Sequence, residues 1–269
     1  MKKIVFSLMM LLGANLLADD INLWEKSTLN KIMDKGELRV CTEPAYLPFE
    51  MKTKKGKIIG YDIDMARKMS KEMGVRLKIV PTTWDGLIAT LITGKCDIIM
   101  SGMTITQKRN LKINFANPYI VVGQTIMMQK KHAKTVKVAR DLDKPGNVIA
   151  VQLGTTGEMA ARKFFKKAKI ETFETEAANV VLLGNADAIM HDQPANILFM
   201  ASKGKDKLVH LDTPLSFEPL GWAVRKGDPD FLNWLNHFLR QIKEDKVTNF
   251  HEKLNQKWLQ DSKWLKRVM

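Results

Sequence analysis

An α/β protein of two similarly built lobes is what this sequence predicts, and three observations carry that reading. Apolar strand-like runs alternate with helical periodicity in a β-α-β-α-β order between Leu38 and Met100. A second series of the same kind opens at Val148, after a polar stretch over residues 130–146. Lastly, Gly94-Lys95-Cys96-Asp97-Ile98-Ile99-Met100 agrees with Gly184-Asn185-Ala186-Asp187-Ala188-Ile189-Met190 at four of seven positions. Each copy follows an apolar helix and runs into polar residues, which suggests two lobes facing each other. The alternating order implies open sheets with helices packed against them.

The chain begins with a segment that does not belong to this core. Lys2 and Lys3 precede an apolar run over residues 4–17, and Ala18 is followed by Asp19-Asp20. Residues 1–18 therefore read as a secretory signal peptide, being shorter than the roughly 20 apolar residues a spanning helix needs. The mature protein is expected to be soluble and periplasmic. Its 269 residues suit one large domain or two ordinary ones, and 45% hydrophobic residues support a real core.

The net charge of +14 falls to +12 once Lys2 and Lys3 are removed. The basic residues are interleaved with acids, as in Lys52, Lys54, Lys55 and Lys57 ahead of Asp62 and Asp64. They form no arm, zinc-finger spacing or aromatic-basic repeat, so no nucleic-acid partner is expected. Cys41 and Cys96 could bridge in an oxidising compartment, but each sits in an apolar run and is read as a separately buried thiol.

In chain order, residues 38–41 read as a strand opening into Thr42-Glu43-Pro44-Ala45-Tyr46-Leu47-Pro48-Phe49, where two prolines imply a loop. Gly60-Tyr61-Asp62 leads into a helix with Met65, Ala66, Met69 and Met73 at helical spacing and Gly74 at its end. The early position of Asp62 and Asp64 in that helix is explained by its positive end. A strand over residues 77–80 and a helix from Trp84 to Thr93 precede the stretch DIIMSGMTITQKR, residues 97–109. That stretch starts as a buried strand, breaks at Ser101-Gly102 and delivers Arg109, as a ligand site at the carboxyl edge of an α/β sheet would. Later come a strand over 125–128, the strand 148–151 with a Gly154-Thr155-Thr156-Gly157 turn into a helix, and a returning strand over 220–224. Asp228-Pro229 starts the first of two closing amphipathic helices; the second spans about 247–259.

Over essentially the whole mature chain, these residues resemble the family 3 periplasmic solute-binding proteins of polar amino acid ABC transporters. The segment Gly60-Tyr61-Asp62-Ile63-Asp64-Met65-Ala66-Arg67-Lys68-Met69-Ser70-Lys71-Glu72-Met73 carries the family signature, with Ser70 a departure from the usual small apolar residue. Tyr46-Leu47-Pro48-Phe49-Glu50 and the segment from Thr104 to Arg109 also fit. The resemblance implies a two-lobe clamshell. Residues 19–122 and 219–269 would form lobe 1, residues 123–218 lobe 2, and the two crossings a hinge.

The resemblance also implies a ligand site. Arg109 occupies the position of the arginine that pairs a ligand α-carboxylate, for which its planar fork is suited. Thr104 and the backbone around Ser101 and Gly102 would add hydrogen bonds, Gly102 replacing a serine of many relatives. Thr155 and Thr156 lie at a helix start whose N–H groups suit an anion. Asp192 aligns with the acceptor of the ligand α-amino group, although as an acid before Gln193-Pro194 it could equally cap the helix that follows. Glu43 aligns with an acid that meets the distal cation of lysine, arginine or ornithine, and glutamine-binding relatives place an acid there too. Tyr46 and Trp84 align with rings that sandwich the ligand stem. A basic amino acid, lysine first, is the expected ligand, with an ABC permease as partner, a monomeric state and no cofactor or metal.

Two rival functions share the fold. Periplasmic cyclohexadienyl dehydratases need a general acid against a leaving hydroxyl; here Asp192 is followed by Gln193-Pro194-Ala195, with no acid where those enzymes carry a glutamate. A sensing domain fused to a receptor or cell-wall enzyme would need a further module, and none follows the last helix.

Overall fold

The computed structural model describes residues 23–174 and 177–268; the expected signal peptide, residues 1–18, lies outside them. Two five-stranded α/β sheets form the two lobes. In the first, the strand order is Arg76–Pro81, Glu37–Thr42, Ile98–Ile99, Ala223–Val224, Asn114–Phe115. In the second it is Lys169–Phe173, Val148–Gln152, Ala188–Asp192, Gln124–Gln129, Leu208–Leu211. Each sheet has three parallel strands on one side and an antiparallel strand next to the third.

The seven-residue echo has a structural meaning. Its two copies supply the central strand of each sheet, and their aspartates do the same work. Asp97 Oδ2 accepts from Arg39 N at 2.9 Å, while Asp187 Oδ2 accepts from Val148 N at 2.8 Å. Reciprocally, Asp97 N and Asp187 N donate to the Arg39 and Val148 carbonyls. Both carboxylates thus satisfy the start of the neighbouring parallel strand, where a buried N–H would otherwise lack a partner. Basic groups neutralise them, Arg39 at Asp97 and Lys131 at Asp187, and His132 Nε2 also lies within hydrogen-bonding distance of Asp187.

Apolar side chains cover both faces of each sheet, as parallel strands require. In lobe 1, Leu38, Val40, Ile98 and Trp222 pack under the helices Tyr61–Glu72 and Pro229–Glu244, while Leu87 and Leu91 cover the other face. In lobe 2 the corresponding faces hold Ile149, Val151 and Phe165, and Met127, Ala150 and Val181. Met65, Ala66 and Met69 are fully buried, and Gly74 follows the helix with φ +66°.

Several sequence expectations need correction. Cys41 and Cys96 are bonded to each other, with Cα atoms 5.8 Å apart. The pairing of Glu37–Thr42 beside Ile98–Ile99 brings two distant apolar runs together, a neighbourhood that apolar pattern does not reveal. The bond closes a loop between residues 55 apart. Its replacement in Cys41→Ala/Cys96→Ala is expected to cost about 2–4 kcal/mol. Denaturant melts of the oxidised protein and the double variant check this, and coincident curves would contradict it.

The segment after Thr42 is also more ordered than two prolines suggested. Ala45–Tyr46 pairs with Glu50–Lys52, which pairs with Ile58–Ile59 in a small antiparallel sheet. The polar stretch over 130–146 packs into the lobe 2 core through Val136, Ala139 and Leu142. The expected returning strand is two strands: Glu218–Leu220 pairs with Ile120–Val122, and Ala223–Val224 enters the lobe 1 sheet. The helix from Trp84 begins as a 3-10 turn, and Ile92 near its end is half exposed. Among the described residues, no helix is long and apolar enough to cross a membrane.

Candidate functional site

The carboxyl ends of the two central strands meet across a cleft between the lobes, bringing Ser101-Gly102 and His191-Asp192 together. A small chamber there is lined by Glu43, Tyr46, Trp84 and Thr104 from lobe 1 and by Thr155, Thr156 and Asp192 from lobe 2. Gly102, Gln124 and Gln152 also line it.

Asp192 ends the strand Ala188–Asp192 and occupies the N-cap position of the helix Gln193–Phe199, yet its side chain makes no capping bond. The carboxylate accepts instead from the Tyr46 hydroxyl across the cleft and from Gln124 Nε2. Burial holds its pKa up at about 7 despite those donors. Of the two readings open from sequence, the geometry therefore favours the cleft over the cap.

Arg109 comes from the short helix Gln107–Asn110, capped by Thr106. Its Nη1 donates to the Thr104 carbonyl at 2.8 Å and its Nη2 to the Gly154 carbonyl of lobe 2 at 3.3 Å. The guanidinium lies 5.2 Å from the Trp84 ring centroid. Of its five N–H donors, these contacts use two. Burial lowers its pKa to about 10, offset by Glu218 and Asp192, so it stays charged at neutral pH.

Glu43 is 5% exposed. Its backbone N–H donates to Ser101 Oγ at 2.9 Å, and its Oε1 accepts from Gln152 Nε2 of lobe 2 at 2.8 Å. Burial, with Asp85 adding repulsion, raises its pKa to about 7. Glu43, Arg109 and Asp192 are thus each bonded by the opposite lobe.

Other predicted residues are engaged differently from expectation. Ser101 Oγ donates to Glu50 Oε1 at 2.7 Å, so its hydroxyl braces the Glu43 loop rather than facing the cleft. The Gly102 N–H donates inward to Asp62 Oδ2 at 2.9 Å. Asp62 is fully buried and also accepts from Tyr119 Oη and Trp222 Nε1, so the helix dipole is not its main reason for being there. Gly102 itself has φ +51°, and a Cβ there would stand 2.2 Å from the Tyr46 ring. The glycine lets that ring reach Asp192. Tyr46 stacks on His191 at 5.4 Å and Trp84 lies against Arg109, so each ring faces a residue of this chain.

Thr155 is the N-cap of the helix Thr156–Phe164: its Oγ1 accepts from Glu158 N and donates to the Gln152 carbonyl. The Thr156 and Thr104 hydroxyls meet across the cleft at 3.3 Å. Sequence reasoning missed Gln124 and Gln152, whose amides hold Asp192 and Glu43, and Glu50, which braces Ser101. Gln124 stood two residues past Val122, the expected crossing, and that position was the available signal. Among the described residues no group of three or more His, Cys, Asp or Glu is placed to hold a metal.

The two raised carboxyl pKa values fix a pH response. Folded, Glu43 and Asp192 hold protons up to about pH 7, whereas free carboxyls lose them near pH 4. Between those limits the folded state binds more protons, so the stability of the ligand-free protein falls as pH rises through that window. A cation beside either group favours the ionised form. Binding of a cationic amino acid is therefore expected to release protons and to tighten between pH 5 and pH 8. Calorimetry at pH 6.5 in buffers of different ionisation heat measures this, and a buffer-independent heat would contradict it.

Two α/β lobes with charged groups bonded across a cleft define a clamshell solute-binding protein. The family profile of the bacterial extracellular solute-binding proteins, family 3, matches residues 38–261, and the chain belongs to that family. It is an extracytoplasmic solute-binding protein with amino-acid-binding homologues. A crystal structure of a putative binding component of an ABC transporter from Wolinella succinogenes, complexed with lysine, is 56% identical. That match has a TM-score of 0.82 and covers 86% of this chain and 99% of the other. The L-cystine-binding protein of Escherichia coli K12 is 30% identical over 87% of this chain and 86% of its own. The cyclohexadienyl dehydratase of Pseudomonas aeruginosa is 32% identical over 80% of this chain and 81% of its own.

Proposed function

We propose that this protein is the periplasmic receptor of an ABC importer for a basic amino acid, lysine first, and that it closes around the zwitterion. Lobe 1 takes residues 19–122 and 219–269, lobe 2 residues 123–218, and the chain acts as a monomer that delivers to its permease. Arg109 pairs the α-carboxylate, with N–H groups at the start of the helix Thr156–Phe164 and the Thr104 hydroxyl beside it. Asp192 takes the α-ammonium and Glu43 the distal cation, while Tyr46 and Trp84 flank the stem. For the ligand to reach Asp192, the Tyr46 hydroxyl gives up its place there.

The observation that supports this most is the charge arrangement: two buried carboxyls, Glu43 and Asp192, line one interlobe chamber, and the buried Arg109 guanidinium lies behind its Trp84 and Thr104 walls, bonded across to Gly154 of the other lobe. That set matches a zwitterion with one further positive group. The lysine complex of the Wolinella relative favours the same class. The test is calorimetric titration of the ligand-stripped protein with the common amino acids, alongside assays of prephenate and arogenate turnover. One lysine per chain, bound more tightly than glutamine or cystine and with no turnover, is expected. Dehydration of either substrate would overturn the reading.

A further inference from the structure

The Glu43 loop stands on a buried acid that the grip itself does not use. Glu50 is fully buried at the start of the strand Glu50–Lys52. In the antiparallel pairing it lies directly opposite Tyr46, one of the two rings proposed to flank the ligand stem. Its Oε1 accepts from Ser101 Oγ at 2.7 Å, and the same Oγ accepts from the Glu43 N–H at 2.9 Å. One side chain thereby reaches two residues of the site, Tyr46 through the sheet and Glu43 through a hydroxyl.

The Ser101 hydroxyl has one proton to give. It receives the Glu43 N–H and passes its own proton to Glu50, so the relay needs an acceptor oxygen at its far end. Holding an acid there is costly. Among the described residues Glu50 Oε2 has no hydrogen-bond partner, although it is buried. Burial, with repulsion from Asp62 added, raises the Glu50 pKa well above the ordinary carboxylate range. The neutral acid so favoured still offers a carbonyl oxygen to Ser101 and puts no negative charge beneath Glu43. The next residue of the turn is fixed independently. Asp62 accepts from the Gly102 N–H at 2.9 Å and is itself held by Tyr119 and Trp222. Ser101 is therefore a fixed post for the Glu43 backbone.

We propose that Glu50 is a positioning residue for ligand choice: through Ser101 it fixes where the Glu43 carboxyl stands, and so sets how strongly a ligand with a distal cation is preferred over one without. The inference rests on the reading that Glu43 takes the distal cation. The α-carboxylate and α-ammonium are assigned to Arg109 and Asp192, which this relay does not touch. Loosening it should weaken lysine and largely spare glutamine.

The test measures lysine and glutamine affinities by calorimetry for the parent, Ser101→Ala, Glu50→Leu and Glu50→Gln. Ser101→Ala and Glu50→Leu should each lower the lysine-over-glutamine preference about 3- to 10-fold, the scale of one hydrogen bond. Glu50→Gln keeps an acceptor oxygen for Ser101 and should restore the preference to within about 2-fold of the parent. Should Glu50→Leu fail to fold, Ser101→Ala still cuts the relay at its middle. Parallel losses for both ligands, or an unchanged preference, would overturn the proposal. So would Glu50→Gln behaving as Glu50→Leu does. A further pair, Glu43→Gln with and without Ser101→Ala, separates the proposal from its foundation. Ser101→Ala should leave the preference of Glu43→Gln unaltered. An unchanged preference in Glu43→Gln alone would overturn the reading of Glu43 and the relay with it. A lowered preference there, beside an unchanged one in Ser101→Ala, would overturn the relay alone.

Discussion

Asp192→Asn is expected to weaken lysine binding by about 30-fold to several thousand-fold, the 2–5 kcal/mol that follows when one partner of a buried charge pair is neutralised. The change is nearly isosteric: the amide oxygen can keep Gln124 Nε2, and the amide NH2 can donate to the Tyr46 hydroxyl oxygen where that hydroxyl now donates to the other carboxylate oxygen. The fold should therefore persist. At pH 8 the ligand-free variant should be at least as stable as the parent, because it no longer ionises a buried carboxyl whose pKa stands at about 7. Glutamine should lose by a comparable factor, since every α-amino acid shares the group that Asp192 is proposed to take. Calorimetric titration of parent and variant with both ligands measures it, and unchanged lysine affinity would remove Asp192 from the site.

Glu43→Gln is expected to separate those same two ligands. Glu43 is 5% exposed and held by Gln152, so a distal ammonium placed beside it would meet it in a low-dielectric setting. Neutralising it should cost lysine about 10- to 100-fold, in the range of a charge-assisted hydrogen bond. Glutamine has no distal charge and should change by less than about 3-fold. Equal losses would show that Glu43 does not read the charge. The variant also removes one of the two groups behind the pH response, so proton release on lysine binding should fall but not vanish.

How much of this was legible in the sequence follows from which forces act locally. Strands at residues 38–41, 125–128 and 148–151 and the helix from Tyr61 announce themselves by period, because a sheet covered on both faces demands apolar runs. The echo around Asp97 and Asp187 was legible for a deeper reason, since both copies fill the same slot and bond the neighbouring strand alike. Contacts between distant segments were not legible. The Cys41–Cys96 bond depends on two strands lying side by side, and the order of residues 45–52 on pairing between Ala45–Tyr46 and Glu50–Lys52. The break at Gly221-Trp222 reflects a chain leaving the Ile120–Val122 partner for the lobe 1 sheet.

The site divides along the same line. Arg109 stood out because it follows a buried strand that breaks at Ser101-Gly102, whereas Glu43 and Asp192 were singled out by the family resemblance. Gln152 and Gln124 did not stand out, because an amide acquires its meaning only from the carboxyl opposite it. Gly102 lines the chamber and Ser101 precedes it, yet their polar groups turn inward. Two buried acids, Glu50 and Asp62, claim the Ser101 hydroxyl and the Gly102 N–H from below.

The central claim is the three-point grip, and a crystal structure of the lysine complex tests it most directly. The account predicts the ligand carboxylate on the Arg109 guanidinium, its α-ammonium on Asp192 with the Tyr46 hydroxyl displaced, and its Nζ within hydrogen-bonding reach of Glu43. A lysine bound in the reverse sense, or one that leaves Tyr46 on Asp192, would contradict it.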